Sequence, residues 1–204
     1  MTKLSELLLT QTAKRMPRVD LRSCAVLVDN LIFAHQLMVA SEQLVDFAVH
    51  RLETGSISAF ERALLVYLRE HVEEERGHAE WLARDLVTAG VIVATRPTSW
   101  DAVQIVGAQY YQVLHGHPVA LLGYMAVLEG SPMPTADIEA LEALHGPEML
   151  RTLRFHAEHD IDHASSLRHL LDQVPAALQE SVVNSAEFTV QHYTRAAAHF
   201  GKEV

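Results

Sequence analysis

The sequence predicts an all-α helical bundle, and three observations carry that expectation. Apolar residues recur at helical spacing along most of the chain, no segment reads as a sheet strand, and the nine glycines and seven prolines fall mostly between long segments. Residues 3–15 form a short amphipathic helix ending before Pro17. A second helix spans 21–51 and is closed by Thr54-Gly55-Ser56; a third spans 57–89, runs its apolar stripe through Leu64, Leu68, Leu82 and Leu86, and is closed by Ala89-Gly90. Helices at 99–115 and 118–129 are separated by Gly116 to Pro118, where proline breaks or kinks the segment. Gly130-Ser131-Pro132-Met133-Pro134 is a loop, followed by helices at 136–145, 147–173 and 177–199. With no linker, repeat array or low-complexity run, residues 1–204 read as a single helical domain, residues 1–20 being a peripheral N-terminal segment.

Composition narrows the function classes. With 49% hydrophobic and 21% charged residues the chain has the make-up of an ordinary globular protein. Sixteen basic against 26 acidic residues give a net charge of −10 with no basic block, which argues against nucleic acid and anionic membrane as partners. The run from Pro118 to Leu128 is far shorter than the roughly 20 residues a bilayer-spanning helix requires, so no membrane span is expected. The first residues, MTKLSELLLTQTAKRMP, lack the pattern of a secretory signal, and the cytoplasm is the expected compartment. Cys24 is the only cysteine, which rules out an internal disulfide and a cysteine-based zinc cluster.

Chemistry is concentrated in a repeated pattern. His71, Glu75 and His78 in one helix, and His156, Asp160 and His163 in another, each read His-x3-acid-x2-His. At about 3.6 residues per turn such positions project from one stripe of a helix. The first stripe is shared with Leu64, Leu68, Leu82 and Leu86, the second with Met149, Leu153, Leu167, Leu170 and Leu171. Imidazoles and carboxylates in a core must be hydrogen-bonded, paired or bound to a cation, because leaving them bare costs several kcal/mol. Glu73, Glu74, Glu158, His159 and Asp162 rotate off these stripes and are expected to face solvent. A lone histidine on an apolar face is usually a satisfied core residue; three metal-competent groups on one stripe, occurring twice, favour a metal site.

Two carboxylates on other helices complete the set. Glu42 shares a face with His35, Met38, Val39, Val45 and Val49, and Glu129 with Leu122, Met125 and Ala126. Each alone reads equally well as a helix-end or surface charge. Their order does not: Glu42, then Glu75-x2-His78, then Glu129, then Asp160-x2-His163 reproduces the ligand arrangement of four-helix di-iron proteins. A sulfur-free imidazole and carboxylate set suits iron or manganese as well as zinc. His156 is one histidine more than a ferritin-type site uses.

The His156-x3-Asp160-x2-His163 motif, preceded by Glu129 and by Glu75-x2-His78 in the context GHAEWLARDL, resembles the heme-oxygenase-like di-iron oxidases and oxygenases over residues 25–175. The resemblance implies a bundle of about seven helices with a heme-oxygenase-like fold. It also implies two irons, one of them labile, and activation of O2 as co-substrate for oxidation of a small organic molecule by N-oxygenation, desaturation or C–C cleavage. Matched position by position, the implied ligands are Glu42, Glu75, His78, Glu129, His156, Asp160 and His163; His71, where some relatives carry an acid, is open between ligand and supporting group, and His35, on the face of Glu42, is a further candidate for supporting the ligands. Leu121, Tyr124, Met125, Phe155 and Trp81 are candidates for lining the substrate, though core packing is the more common role for such residues. A homodimer is compatible with the sequence.

Other readings predict different findings. A ferritin-like four-helix bundle that stores or handles iron would load many ions per chain. A heme protein of the oxygenase type needs one proximal histidine and leaves both triads unexplained. A thiaminase-like enzyme needs a cysteine nucleophile, for which only Cys24 is present. A purely structural reading makes the histidines satisfied core groups.

Overall fold

A computed structural model of the chain describes residues 3–55, 57–130 and 132–202, with the side chains of residues 160–162 outside that description. Ser56 and Ser131, each part of an expected loop, also lie outside it. Among the described residues the elements are helices α1 (Leu4–Arg15), α2 (Cys24–Glu53), α3 (Ala59–Glu75), α4 (His78–Thr88), α5 (Trp100–His115), α6 (Leu121–Leu128), α7 (Thr135–His145), α8 (Arg151–Leu171) and α9 (Ala176–Ala197). No strand occurs among them, so the all-α expectation holds. Short 3-10 turns lead into α6 at Pro118–Ala120 and into α8 at Pro147–Met149.

Local chemistry sets the helix starts. Ser58 and Glu61 form a reciprocal capping box on α3: the Ser58 hydroxyl accepts from the Glu61 backbone N–H at 3.2 Å, and the Glu61 carboxylate accepts from the Ser58 N–H at 2.7 Å. Ser99 caps α5 by accepting from the Asp101 N–H at 3.2 Å. Helix α8 is capped from outside, by a carboxylate on α4. Buried Asp85 accepts from the Thr152 backbone N–H at 2.8 Å and from the Thr152 hydroxyl at 2.7 Å, placing negative charge at the positive end of α8.

The single helix expected over 57–89 is two helices. The chain turns at Arg76-Gly77, with Gly77 at φ 84°, a left-handed conformation that costs a side-chain-bearing residue about 1–2 kcal/mol. Sequence periodicity carries across this break because the leucine stripe resumes on the far side.

Two apolar cores result. The larger joins Leu37 and Leu44 of α2, Leu64 and Leu68 of α3, Ile105 of α5, Leu121, Leu122 and Met125 of α6, Leu167 and Leu171 of α8, and Val182 of α9. The smaller joins Leu27 and Leu31 of α2, Leu82 and Leu86 of α4, Leu141 of α7, and Met149 and Leu150 ahead of α8. Helix α6 lies so close to α9 that a Cβ on Gly123 would stand 2.0 Å from the Val182 carbonyl oxygen. The N-terminal helix, expected at the periphery, buries Leu4, Leu8 and Leu9 in the larger core. Helix α2 is, among the described residues, the one helix long and apolar enough by length and composition to cross a membrane; here it packs against α3, α4 and α5. Along α3–α4 the leucines of one core end before His71 and those of the other begin after His78. Along α8 the same change occurs across 156–163, so a polar belt separates the cores.

Candidate metal centre

The belt is built by two chain segments facing each other. From α3 and α4 come His71, Glu75 and His78, with His71 and His78 buried. From α8 come His156 and His163. Two groups of ligand atoms form around Glu75, each lying within 4.8 Å: His71, Glu75 and His163 in one, and Glu75, His78 and His156 in the other. Glu75 belongs to both. Its Oε2 is 3.0 Å from His78 Nδ1 and 4.0 Å from His156 Nε2, while its Oε1 is 3.8 Å from His163 Nδ1. Imidazoles meet in pairs across the helices, His71 with His163 at 5.7 Å between ring centroids and His78 with His156 at 4.9 Å.

The break between α3 and α4 shapes this geometry. Glu75 is the last residue of α3 and His78 the first of α4, so their acid-x2-His pair straddles a turn. The same turn follows Glu74, which is exposed as expected and whose carboxylate lies 2.8 Å from His163 Nε2. It also swings Arg76 outward, where it pairs with Glu42 at 3.1 Å, Asp46 at 3.2 Å and Glu73 at 3.0 Å. Glu42 was expected among the ligands, and here its carboxylate is on Arg76 and outside both ligand groups. Glu129 follows α6 and places Oε1 3.5 Å from His71 Nε2, at the edge of the first group. The Asp160 side chain lies outside the described residues. His71, open between ligand and supporting group, stands among the metal-competent atoms. His35 is half-buried away from full solvation, which lowers its pKa, and the charge acting against that shift is Glu80. Glu158 and His159 are exposed as expected, His159 stacking on Phe155 at 4.0 Å.

Burial pushes the Glu75 carboxyl up, but the hydrogen bond to His78 and the charges of His156, His71 and His78 outweigh it, leaving the group below its ordinary value. Glu75 therefore stays ionised in the belt. Its Oε1 is buried and makes no hydrogen bond, an arrangement that costs about 1–3 kcal/mol unless a cation or donor meets it. A carboxylate with such an oxygen, amid imidazoles and with no sulfur, fits a hard or borderline divalent cation. Of the candidates for substrate lining, Leu121, Tyr124 and Met125 are fully buried in the larger core. Trp81 and Phe155 instead surround His78, at 4.4 and 5.1 Å between centroids, and Trp81 is 38% exposed.

Three residues escaped the sequence reading. Tyr67 lies one turn before His71 and stacks on its ring, and that i, i+4 spacing was the available signal. Asp85 sits on the stripe of Leu82 and Leu86, an acid among leucines. Glu74 carried no signal while the segment was read as a continuous helix.

No protein-family model matches the chain, and no curated protein matches it in sequence. Its fold is shared with solved structures. One is a domain of unknown function with a heme oxygenase-like fold from Shewanella denitrificans, with a TM-score of 0.75 and 16% identity, covering 96% of this chain and 89% of that one. Another is a TenA homolog from Pseudomonas syringae pv. tomato, with a TM-score of 0.71 and 12% identity, covering 94% of this chain and 90% of that one. At these identities the likeness speaks for architecture. The all-α bundle that carries the histidine and carboxylate belt is thus a heme oxygenase-like fold.

Proposed function

We propose that this chain is a non-heme di-iron oxidase or oxygenase that uses O2 on a small organic substrate, with N-oxygenation, desaturation or C–C cleavage as its outcome. The observation that carries this reading is Glu75, one carboxylate shared by two groups of imidazoles. The residues proposed to hold the metals are Glu75 between them, His78 and His156 on one side, and His71 and His163 on the other. Glu129 lies beside His71, and Asp160 is assigned from its place in the last motif. Two ferrous ions held there would supply electrons for reducing O2, which neither the side chains nor zinc can do.

The chain's own groups have definite tasks in this scheme. Glu75 offers one oxygen to each side, and a carboxylate can change its mode of binding as the charge between its partners changes. Neutral imidazoles keep the total charge of the belt low enough for burial. Asp85 fixes the start of α8, and with it the direction from which His156 and His163 approach. Trp81 and Phe155 cover His78 and keep water from that side. The thiaminase-like alternative is less well supported, since Cys24 is exposed at the first residue of α2 and belongs to neither ligand group.

The test is anaerobic loading with Fe(II) followed by exposure to O2, read by Mössbauer spectroscopy and stopped-flow absorbance. About two non-heme irons per chain, both oxidised by O2, is the expected result. A tightly bound heme, or a large number of irons per chain, would defeat the proposal.

A further inference from the structure

We propose that Tyr67 is a hydrogen-bond donor to a small anionic ligand, bound through oxygen or nitrogen, in the pocket formed by His71, Glu75 and His163. This inference rests on the dinuclear reading above. Tyr67 and His71 lie one turn apart on α3, and their rings stack with centroids 5.8 Å apart and planes 17° apart. The phenol thus lies against the imidazole that borders the pocket. Its hydroxyl is buried and makes no hydrogen bond.

The other buried tyrosines behave differently. The Tyr124 hydroxyl is hydrogen-bonded to Ser41 at 2.5 Å, and that of Tyr193 accepts from Asn30 at 2.9 Å. A buried phenol normally finds such a partner, and leaving it bare is a cost that folding alone gives no reason to retain. A phenol titrates near pH 10 in water, so at neutral pH the group is an O–H donor, and the acids whose charges act on it are Glu129, Glu74 and Glu75. None of the three carboxylates accepts its proton. A neutral donor beside a carboxylate-lined pocket has no use for a further cation. It suits an anion that enters only when metal ions have reversed the local charge.

The experiment uses the full chain loaded with Co(II), whose visible spectrum reports its ligands, and titrates it with azide. Wild type and Tyr67→Phe are expected to take up the same amount of cobalt. The variant is expected to bind azide about tenfold more weakly or worse, the loss of one hydrogen bond to a charged acceptor. The metal-free variant should melt at or above the wild-type temperature, since the lost hydroxyl makes no bond in the fold. Equal azide affinity would overturn the Tyr67 assignment while leaving the dinuclear reading intact. So would a wild type that takes cobalt but not azide, or a variant that loses cobalt or fails to fold. A wild type that binds no cobalt would overturn both.

Discussion

Two helix contacts in this bundle withdraw polar atoms from water and treat them differently. Between α5 and α9, the Ser185 hydroxyl donates to the Gln109 side-chain oxygen at 3.0 Å, and within α9 the Thr189 hydroxyl donates to the Ser185 carbonyl at 2.8 Å. Between α3 and α8, the Tyr67 hydroxyl and Glu75 Oε1 are equally withdrawn from water and make no hydrogen bond. The first contact uses polarity to join helices, the Ser185–Gln109 bond contributing about 1 kcal/mol. In the second, these two atoms add no hydrogen bond to the fold, although Glu75 Oε2 bonds His78, and the proposed metal and its ligand would give them a use.

The sharpest way to break this contrast is to remove the shared carboxylate. Glu75→Ala is expected to abolish binding of both metals, as read by metal analysis after dialysis. Retention of one full equivalent would mean that the two groups do not share a ligand. The next effect belongs to the outside cap. Asp85→Ala leaves the Thr152 N–H and hydroxyl buried and is expected to cost about 3 kcal/mol in urea unfolding. A change too small to measure would show that α8 does not depend on α4 for its start.

A smaller loss tests the other contact. Ser185→Ala deprives Gln109 of its donor and should cost about 1–2 kcal/mol while leaving metal content unchanged. If metal is lost as well, the two contacts are not independent. The smallest effect is at the α3 cap, where Ser58→Ala should cost about 1 kcal/mol. Hydrogen bonds from Ser58 hold the Glu61 carboxyl below its ordinary value of 4.5, so its contribution is present above that pH and is lost as pH falls through the lowered folded value. The variant should therefore lose less stability than wild type as the solution is acidified through that range.

The same comparison explains what could be read from the chain without coordinates. Both cores were legible, because Leu64, Leu68, Leu82 and Leu86, and then Leu153, Leu167 and Leu171, repeat at helical spacing. The histidines and Glu75 were legible as polar groups interrupting those stripes. The turn at Gly77 was not, since one glycine between two in-phase stripes does not reveal a left-handed residue. Glu74 is exposed as expected yet reaches His163, and Arg76, outside α3, pairs with Glu42, which was expected among the metal ligands. The resemblance leaves His71 open between ligand and supporting group, although its own position on the stripe argues for inclusion.

The central claim is that one carboxylate serves two metals. Crystals grown with Fe(II), Mn(II) or Co(II) and measured at the metal's absorption edge address it directly. The account expects two anomalous peaks on either side of Glu75, about 3.5–4 Å apart, one beside His78 and His156 and the other beside His71 and His163. A single peak, metal bound away from Glu75, or a heme in its place would contradict it.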